Sequence, residues 1–262
     1  MLNIVTPASK AVISLYGAHV LSWVPEGHED VLFVSPLSHY RIGEPIRGGI
    51  PVCWPWFGKE KSPQHGVARI SMWTLESAED RPDGTVRVVM TLTPEGYNGL
   101  TARMEIIVGE TLTQILTTTA GSEKAAVTQA LHTYFNVNPQ EVTVEGLSGQ
   151  EFTEKAAHPV AQQETPVLAL KGGLDRIYSG VEGEICIVDQ SLKQRIKLDR
   201  QGSESVVVWN PWSDGAKGMK DMPDDGWKFF LCVETANLGC YDFELNPGES
   251  RSMGHIISVE SV

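Results

Sequence analysis

Short runs in which apolar and polar residues alternate place the strongest constraint on how this chain can fold. Residues 85–92, TVRVVMTL, put every second side chain on one apolar face, directly after a Pro-Asp-Gly turn signal. Residues 102–108, ARMEIIV, alternate in the same way, and Gly109-Glu110 then leads into TLTQILTTT as a hairpin partner. No helical stripe of about ten residues or more accompanies them, so the sequence predicts an all-β protein. Further β-rich runs lie at residues 194–198, 205–209, 229–235 and 255–259.

Many short strands without helices between them predict antiparallel sheets packed as a large β-sandwich, not a βαβ fold. A chain of 262 residues can bury one large core, and its 41% hydrophobic and 21% charged residues are typical of globular proteins. We therefore expect a single domain over residues 1–262. Residues 139–166 are the least patterned, and we expect strands with long loops there.

The formal net charge of −12 argues against binding to nucleic acid or to anionic membranes, both of which favour a basic surface. The N-terminal segment MLNIVTPASKAVISL lacks the basic and apolar regions of a signal peptide. No apolar run approaches the roughly 20 residues needed to span a bilayer. We expect a cytoplasmic protein, present as a monomer or a weak homodimer.

Four cysteines, Cys53, Cys186, Cys232 and Cys240, fall on apolar segments and form no CxxC pair. This spacing indicates neither a zinc knuckle nor a redox motif. We expect reduced, buried thiols.

Two apolar runs each carry one side chain that acid–base chemistry could use. If residues 130–137, ALHTYFNV, form a strand, His132 and Tyr134 share the face opposite Leu131. In residues 229–235, FFLCVET, Glu234 shares a face with Cys232. A carboxylate in so apolar a run needs either a structural partner or a cleft, because burying it alone costs several kcal/mol. Both the structural and the catalytic interpretation are open at this point.

Residues 47–69, RGGIPVCWPWFGKEKSPQHGVAR, carry four basic residues against one acidic residue within an acidic chain. Arginine suits phosphate oxygens, and the glycines at positions 48, 49 and 58 permit close backbone approaches. The aromatic residues Trp54, Trp56 and Phe57 could stack on a sugar or belong to the core. Arg47 and Arg69 could equally be surface salt-bridge partners.

Two further segments contain polar side chains in turn-rich surroundings. Asp175 follows a Gly-Gly turn in GGLDRIYS, where a carboxylate could bind sugar hydroxyls, although Asp in turns commonly bonds to the backbone. Residues 209–227, WNPWSDGAKGMKDMPDDGW, have the composition of an ordered functional loop.

The segments RGGIPVCWPWFG, QHGVAR, ALHTYFNV, DRIY and WNPW…MKDMPDDGW…CVETA together resemble the glucose-6-phosphate 1-epimerases, or hexose-6-phosphate mutarotases, of the galactose mutarotase-like group. The resemblance runs from about residue 18 to residue 236. It implies a many-stranded antiparallel supersandwich with the active site on one open face. The implied activity is exchange of the α and β anomers of a hexose 6-phosphate, with D-glucose 6-phosphate as the expected substrate.

When the family's residue roles are assigned to the matching positions of this sequence, the resemblance implies that His132 is the general acid and Glu234 the general base. The two arginines would hold the phosphate. Because a hemiacetal opens unaided in water, acid–base catalysis suffices and we expect no cofactor and no metal. We also expect the nearby carboxylate to keep His132 protonated. The implied substrate-binding residues are Arg47, Gln64, His65, Arg69 and Asp175.

Three alternatives compete with this hypothesis. A cupin-type metal enzyme would need clustered histidines, but the sequence has no H-x-H motif. A glycoside hydrolase could pair Asp175 with Glu234, which leaves His132 unexplained. A noncatalytic carbohydrate-binding protein would use the tryptophans and Asp175 and would need neither His132 nor Glu234.

Overall fold

Antiparallel strands account for about half of the computed structural model, which describes residues 1–154 and 160–261, and helices are few and short. The all-β prediction is confirmed. In chain order the strands are β1 (Leu2–Val5), β2 (Ser9–Ser14), β3 (His19–Pro25), β4 (Val52–Cys53), β5 (Thr74–Asp80), β6 (Val86–Leu92), β7 (Thr101–Val108), β8 (Leu112–Thr119), β9 (Ala125–Val127), β10 (Gln129–Leu131), β11 (Tyr134–Phe135), β12 (Val142–Glu145), β13 (Glu151–Glu154), β14 (Val160–Gln162), β15 (Leu168–Ala169), β16 (Leu174–Ser179), β17 (Ile185–Asp189), β18 (Gln194–Gln201), β19 (Ser205–Asn210), β20 (Leu231–Asn237), β21 (Phe243–Leu245) and β22 (Ser250–Ser261).

Two large sheets contain most of these strands. One has eight strands in the order β14-β13-β16-β19-β20-β10-β4, with β11 also paired to β20. The other has nine strands in the order β15-β12-β17-β18-β22-β8-β7-β6-β5. Strands β1, β2 and β3 form a smaller sheet, and β21 pairs with β9. The predicted antiparallel sandwich is therefore present.

The main core lies between the two large sheets. Leu131 and Leu231 enter it from the eight-stranded sheet, and Met104 and Ile257 enter it from the nine-stranded sheet. The alternating sequence pattern places these side chains in the core. In strand β7, for example, residues alternate between buried and half-buried, as a period of two requires. Burying one such large side chain stabilises the fold by about 1.5–3 kcal/mol.

The predicted strand at residues 130–137 is interrupted where chemistry is expected. Strand β10 ends at Leu131 and β11 begins at Tyr134, because the Thr133 amide donates to the Leu131 carbonyl at 3.0 Å instead of to a neighbouring strand. Both pieces keep one register on β20, so the alternation of faces is as predicted. Leu131 and Phe135 face the main core, and Tyr134 lies in a separate cluster.

The predicted strand at residues 229–235 begins two residues late. Phe229 ends the 3₁₀ turn Gly226–Phe229 and is half exposed, and β20 starts at Leu231. Phe229 therefore does not share the face of Leu231, because the turn rotates it out of the strand. The other helical elements are α1 (Trp212–Lys217) and the 3₁₀ turns Ala68–Ile70 and Gly239–Tyr241.

The predicted strands and loops of residues 139–166 correspond to β12, β13 and β14, with residues 155–159 outside the described residues. Within the described part of the chain, every helix is too short or too polar to cross a membrane.

The cysteine prediction holds for three of four residues. Cys53, Cys186 and Cys232 are free and buried. Cys240 is free but exposed, because it lies in the surface turn Gly239–Tyr241 and not in a strand.

Gly48 allows two backbone segments to meet beside the predicted site. It has φ = 110°, and a Cβ atom placed on it would lie 2.3 Å from the Phe33 carbonyl oxygen. Gly49 also has positive φ, and its Cβ would lie 2.4 Å from the Val20 carbonyl oxygen. The predicted close approaches at both glycines are confirmed, and they bring the preceding residue, Arg47, against the eight-stranded sheet.

We predict that Gly48→Ala lowers the free energy of unfolding by about 2–4 kcal/mol, because it adds a backbone collision to the strain of a positive φ. Gly43→Ala is the matched control. Gly43 also has positive φ, at 88°, but nothing lies within 4 Å of an added Cβ. Gly43→Ala should lower the free energy of unfolding by about 1 kcal/mol. Urea unfolding measures both variants, and equal losses would contradict the close approach at Gly48.

Candidate active site

The side of the eight-stranded sheet that faces away from the main core brings His132 and Glu234 together. Leu131 pairs with Thr235 and Tyr134 pairs with Cys232, so the shared register places His132 opposite Glu234. The His132 Nε2 atom lies 3.3 Å from the Glu234 Oε1 atom. His132 is 7% exposed and Glu234 is 1% exposed. The two predicted acid–base groups therefore form one buried pair.

Aromatic rings surround the imidazole of His132. The Tyr134 ring stacks on it with centroids 4.9 Å apart and planes within 10°. Trp209 meets it edge-on at 5.8 Å. Among the described residues, no side chain or backbone group bonds to the His132 Nδ1 atom. One imidazole nitrogen therefore faces the carboxylate, while the ring plane is set by its aromatic neighbours.

The expectation that Glu234 keeps His132 protonated is wrong for this structure. Burial lowers the pKa of His132 well below its usual value, and the neighbouring His65, Arg69 and Arg47 lower it further. The desolvation cost of an imidazolium and the repulsion from the two guanidinium groups outweigh one carboxylate at 3.3 Å. At neutral pH the imidazole is mainly uncharged.

Arg47 lies at the edge of this pair, where several partners hold its side chain. Its Nε and Nη2 atoms donate to Asp221 Oδ2 at 3.1 and 3.0 Å, and its Nη1 atom donates to the Tyr134 hydroxyl at 3.0 Å. Burial opposes the charge on Arg47, but Tyr134 and Asp221 raise its pKa above the usual value. Arg47 is therefore a fixed cation and not a surface salt-bridge partner.

Arg69 lies in the 3₁₀ turn Ala68–Ile70 and has a looser set of contacts. Its Nη2 atom donates to the Gln64 carbonyl at 2.8 Å, and its Nε atom has no hydrogen-bond partner within residues 1–154 and 160–261. Burial lowers the pKa of Arg69, and the charges of Arg47 and Asp221 also act on it. The charges of the two guanidinium groups thus act on each other, and the Asp221 carboxylate acts on both.

His65 faces the site with its side chain, whereas Gln64 contributes its backbone carbonyl. The buried His65 ring lies 5.6 Å from the His132 ring and 4.6 Å from the Phe57 ring. Its Nδ1 atom accepts from the Gly58 amide at 3.2 Å, so the uncharged ring carries its proton on Nε2. The Gln64 side chain is exposed, and its carbonyl supports Arg69.

Asp175 joins the same face from β16. It lies opposite Trp209 of β19, which in turn lies opposite Cys232 of β20. Asp175 is partly exposed. Burial and then the charge of Glu234 are the largest causes of the raised pKa of the Cys232 thiol, and the charge of Asp175 also raises it. All seven predicted site residues thus surround one region, and their individual roles stay predictions.

The structure separates the core aromatic residues from those at the site. Trp54 is fully buried in the main core and its Nε1 atom donates to Thr118, so its ring is not a surface for sugar stacking. Trp56 is 5% exposed, its Nε1 atom donates to the Pro63 carbonyl, and it lines a surface cavity with Lys61 and Tyr97. Trp209 is the partly exposed ring beside His132. Sequence reasoning did not assign a role to Tyr134, Trp209 or Asp221. The place of Tyr134 at the site could have been predicted, because it shares a strand face with His132. Asp221 could not have been predicted in this way, because 174 positions separate it from Arg47.

Metal ligation would need a different arrangement of side chains. Over residues 1–154 and 160–261, no group of three or more His, Cys, Asp or Glu side chains could hold a metal ion. The cupin alternative therefore lacks the ligand cluster that it requires.

Known proteins share both the sequence and the fold of this chain. An Escherichia coli K12 protein named "Putative glucose-6-phosphate 1-epimerase" is 39% identical over 241 residues, covering 88% of this chain and 80% of that one. A Salmonella typhimurium LT2 protein of the same name is 36% identical, covering 87% and 80%. A crystal structure of a Salmonella typhimurium "putative mutarotase" matches with a TM-score of 0.92 and 32% identity, covering 99% of this chain and 90% of that one. The family model for aldose 1-epimerase matches residues 2–258, and the chain belongs to that family.

Proposed function

We propose that this aldose 1-epimerase interconverts the α and β anomers of a hexose 6-phosphate, with D-glucose 6-phosphate as its main substrate. The observation that carries the proposal is the buried pair of His132 and Glu234, 3.3 Å apart, beside two guanidinium groups. The names of the bacterial relatives support the phosphorylated sugar as substrate.

The pair matches what ring opening requires. Glu234 takes the proton from the C1 hydroxyl, His132 gives a proton to the ring oxygen, the bond from C1 to that oxygen breaks, and C1 becomes an aldehyde carbon. Rotation about C1–C2 and the reverse proton transfers close the ring as the other anomer. Both oxygens are attached to C1, so an acid and a base in mutual contact can reach them together.

Phosphate binding would prepare the acid. Arg69 and Arg47 are among the groups that lower the pKa of His132 in the site without substrate. A phosphate dianion at the guanidinium groups offsets those charges, which raises the pKa of His132 and increases the protonated fraction. The non-reacting end of the substrate thus contributes to the chemical step as well as to affinity.

A noncatalytic carbohydrate-binding protein remains the alternative from another functional class. It would require Asp175 and Trp209 but would have no use for a buried acid–base pair. Burying two ionisable groups costs several kcal/mol, which a binding protein can avoid with uncharged side chains. The pair therefore favours catalysis.

We predict that the protein accelerates anomer exchange of glucose 6-phosphate, and that Glu234→Gln or His132→Gln removes about 10²–10⁴ of the acceleration, because each loses a proton-transfer group. Exchange NMR on the anomeric protons measures the rate. Glu244→Gln is the matched control, since its side chain is 69% exposed on β21. Full activity in Glu234→Gln would show that another residue is the base.

We predict that Arg69→Gln lowers kcat/KM for glucose 6-phosphate by about 10- to 100-fold, because hydrogen bonds from a charged group contribute about 1.5–3 kcal/mol. The loss for glucose should be below about threefold, since glucose has no phosphate. Arg87→Gln is the control, because Arg87 pairs with Glu105 on the other large sheet. Equal losses for both sugars would argue against a phosphate clamp.

We predict that Arg69→Gln moves the alkaline limb of the pH–rate profile for glucose to higher pH. Arg69 lowers the pKa of His132. Removing that charge raises the pKa, so the imidazole keeps its proton, and its activity as an acid, to higher pH. Glucose is used because it has no phosphate that titrates. A limb that stays in place or moves to lower pH would contradict the electrostatic coupling.

A further inference from the structure

Tyr134 touches both ends of the site. Its hydroxyl accepts from Arg47 Nη1 at 3.0 Å, and its ring stacks on the His132 imidazole at 4.9 Å with planes 10° apart. The side chain is 1% exposed. One rigid ring therefore connects the guanidinium group to the imidazole.

The surroundings leave this ring little freedom. Phe230 packs against it at 5.0 Å and Trp209 meets it edge-on at 6.0 Å. Its amide donates to the Gly49 carbonyl at 2.9 Å, and its carbonyl accepts from the Phe33 amide at 3.0 Å. Tyr134 is thus tied by its backbone to the same glycine segment that positions Arg47.

The guanidinium of Arg47 is supported from the other side by a loop. Asp221 accepts from Arg47 Nε and Nη2, and the Asp221 carbonyl accepts from the Ser35 hydroxyl at 2.7 Å. Both of these bonds go to one oxygen, Asp221 Oδ2, so the planar guanidinium can still pivot about that atom, and the bond from Nη1 to the Tyr134 hydroxyl opposes the pivot. Loss of that hydroxyl would leave Nη1 without this acceptor.

We propose that Tyr134 is a positioning residue that orients Arg47 through its hydroxyl and fixes the plane of the His132 imidazole through its ring. The inference rests on the proposed function and adds a residue to it. Tyr134 acts through Arg47 and His132, so its two contributions can be separated by substitution.

Tyr134→Phe removes the hydroxyl and keeps the ring. Its main effect should be a rise of about 3- to 10-fold in KM for glucose 6-phosphate, the range expected from one hydrogen bond to a charged group that Asp221 still holds. Tyr134→Leu also removes the stacking surface. Its kcat should fall about 10²-fold, because a displacement near 1 Å of a catalytic group costs that much.

Tyr178→Phe is the matched control. Tyr178 is fully buried, its hydroxyl lies 2.9 Å from Gln163 Oε1 and 3.5 Å from Arg176 Nη1, and its ring packs on Phe152. The substitution removes a similar hydroxyl beside an arginine outside the site. It should lower stability as Tyr134→Phe does and leave KM and kcat at wild-type values.

A second measurement does not depend on catalysis. Calorimetric titration with inorganic phosphate should show binding about 3- to 10-fold weaker in Tyr134→Phe than in Tyr178→Phe. Tyr134→Phe removes only the hydroxyl group and keeps the ring, so phosphate binding can still be measured in this variant if Tyr134→Leu does not fold.

The outcomes separate the two proposals. Wild-type protein without anomer exchange would overturn the proposed function, whatever Tyr134 does to phosphate binding. Active wild-type protein with Tyr134→Phe matching Tyr178→Phe in KM, kcat and phosphate affinity would overturn the role of Tyr134. A KM effect in Tyr134→Phe together with a kcat effect in Tyr134→Leu supports it.

Discussion

The contact between His132 and Glu234 depends on one antiparallel register. Strands β10 and β11 pair with β20 in the same register on both sides of a short interruption. Side chains alternate between faces with a period of two, so a slip of either strand by one residue would turn its own group into the main core and separate the pair. The apolar partners on the opposite face, including Leu131 and Val233, make such a slip costly. Packing between the sheets therefore determines the geometry of the acid–base pair.

The same strand shows how the fold tolerates a buried carboxylate. Every residue of β20 is buried, because the sandwich core covers one face and the site covers the other. A carboxylate in that setting costs several kcal/mol unless charged or polar partners compensate. The imidazole at 3.3 Å supplies part of that compensation. Chemistry and fold stability are thus linked at Glu234.

Local sequence patterns predicted the strands and the faces of the key residues, because a period of two is set within a few residues. The same patterns could not place Phe229, since the turn that rotates it out of β20 depends on the packing of the preceding loop. They also left Trp54 and Trp56 ambiguous, because an aromatic side chain suits a core and a sugar site equally. Asp221 lay outside such reasoning, because its ion pair with Arg47 joins segments that meet only in the folded chain.

Under the proposed function, the charges around the site would divide the work of anion binding between the two arginines. Arg47 is already neutralised by Asp221 at 3.0 Å, so it adds little net attraction and instead offers fixed donors. Within the described residues, the Arg69 guanidinium donates to a backbone carbonyl and to no carboxylate, so its charge is not balanced at short range there. In a chain of net charge −12 an anion is repelled at long range, and a local excess of positive charge must reverse this at the site. Under the proposed function, Arg69 would supply the attraction and Arg47 the orientation.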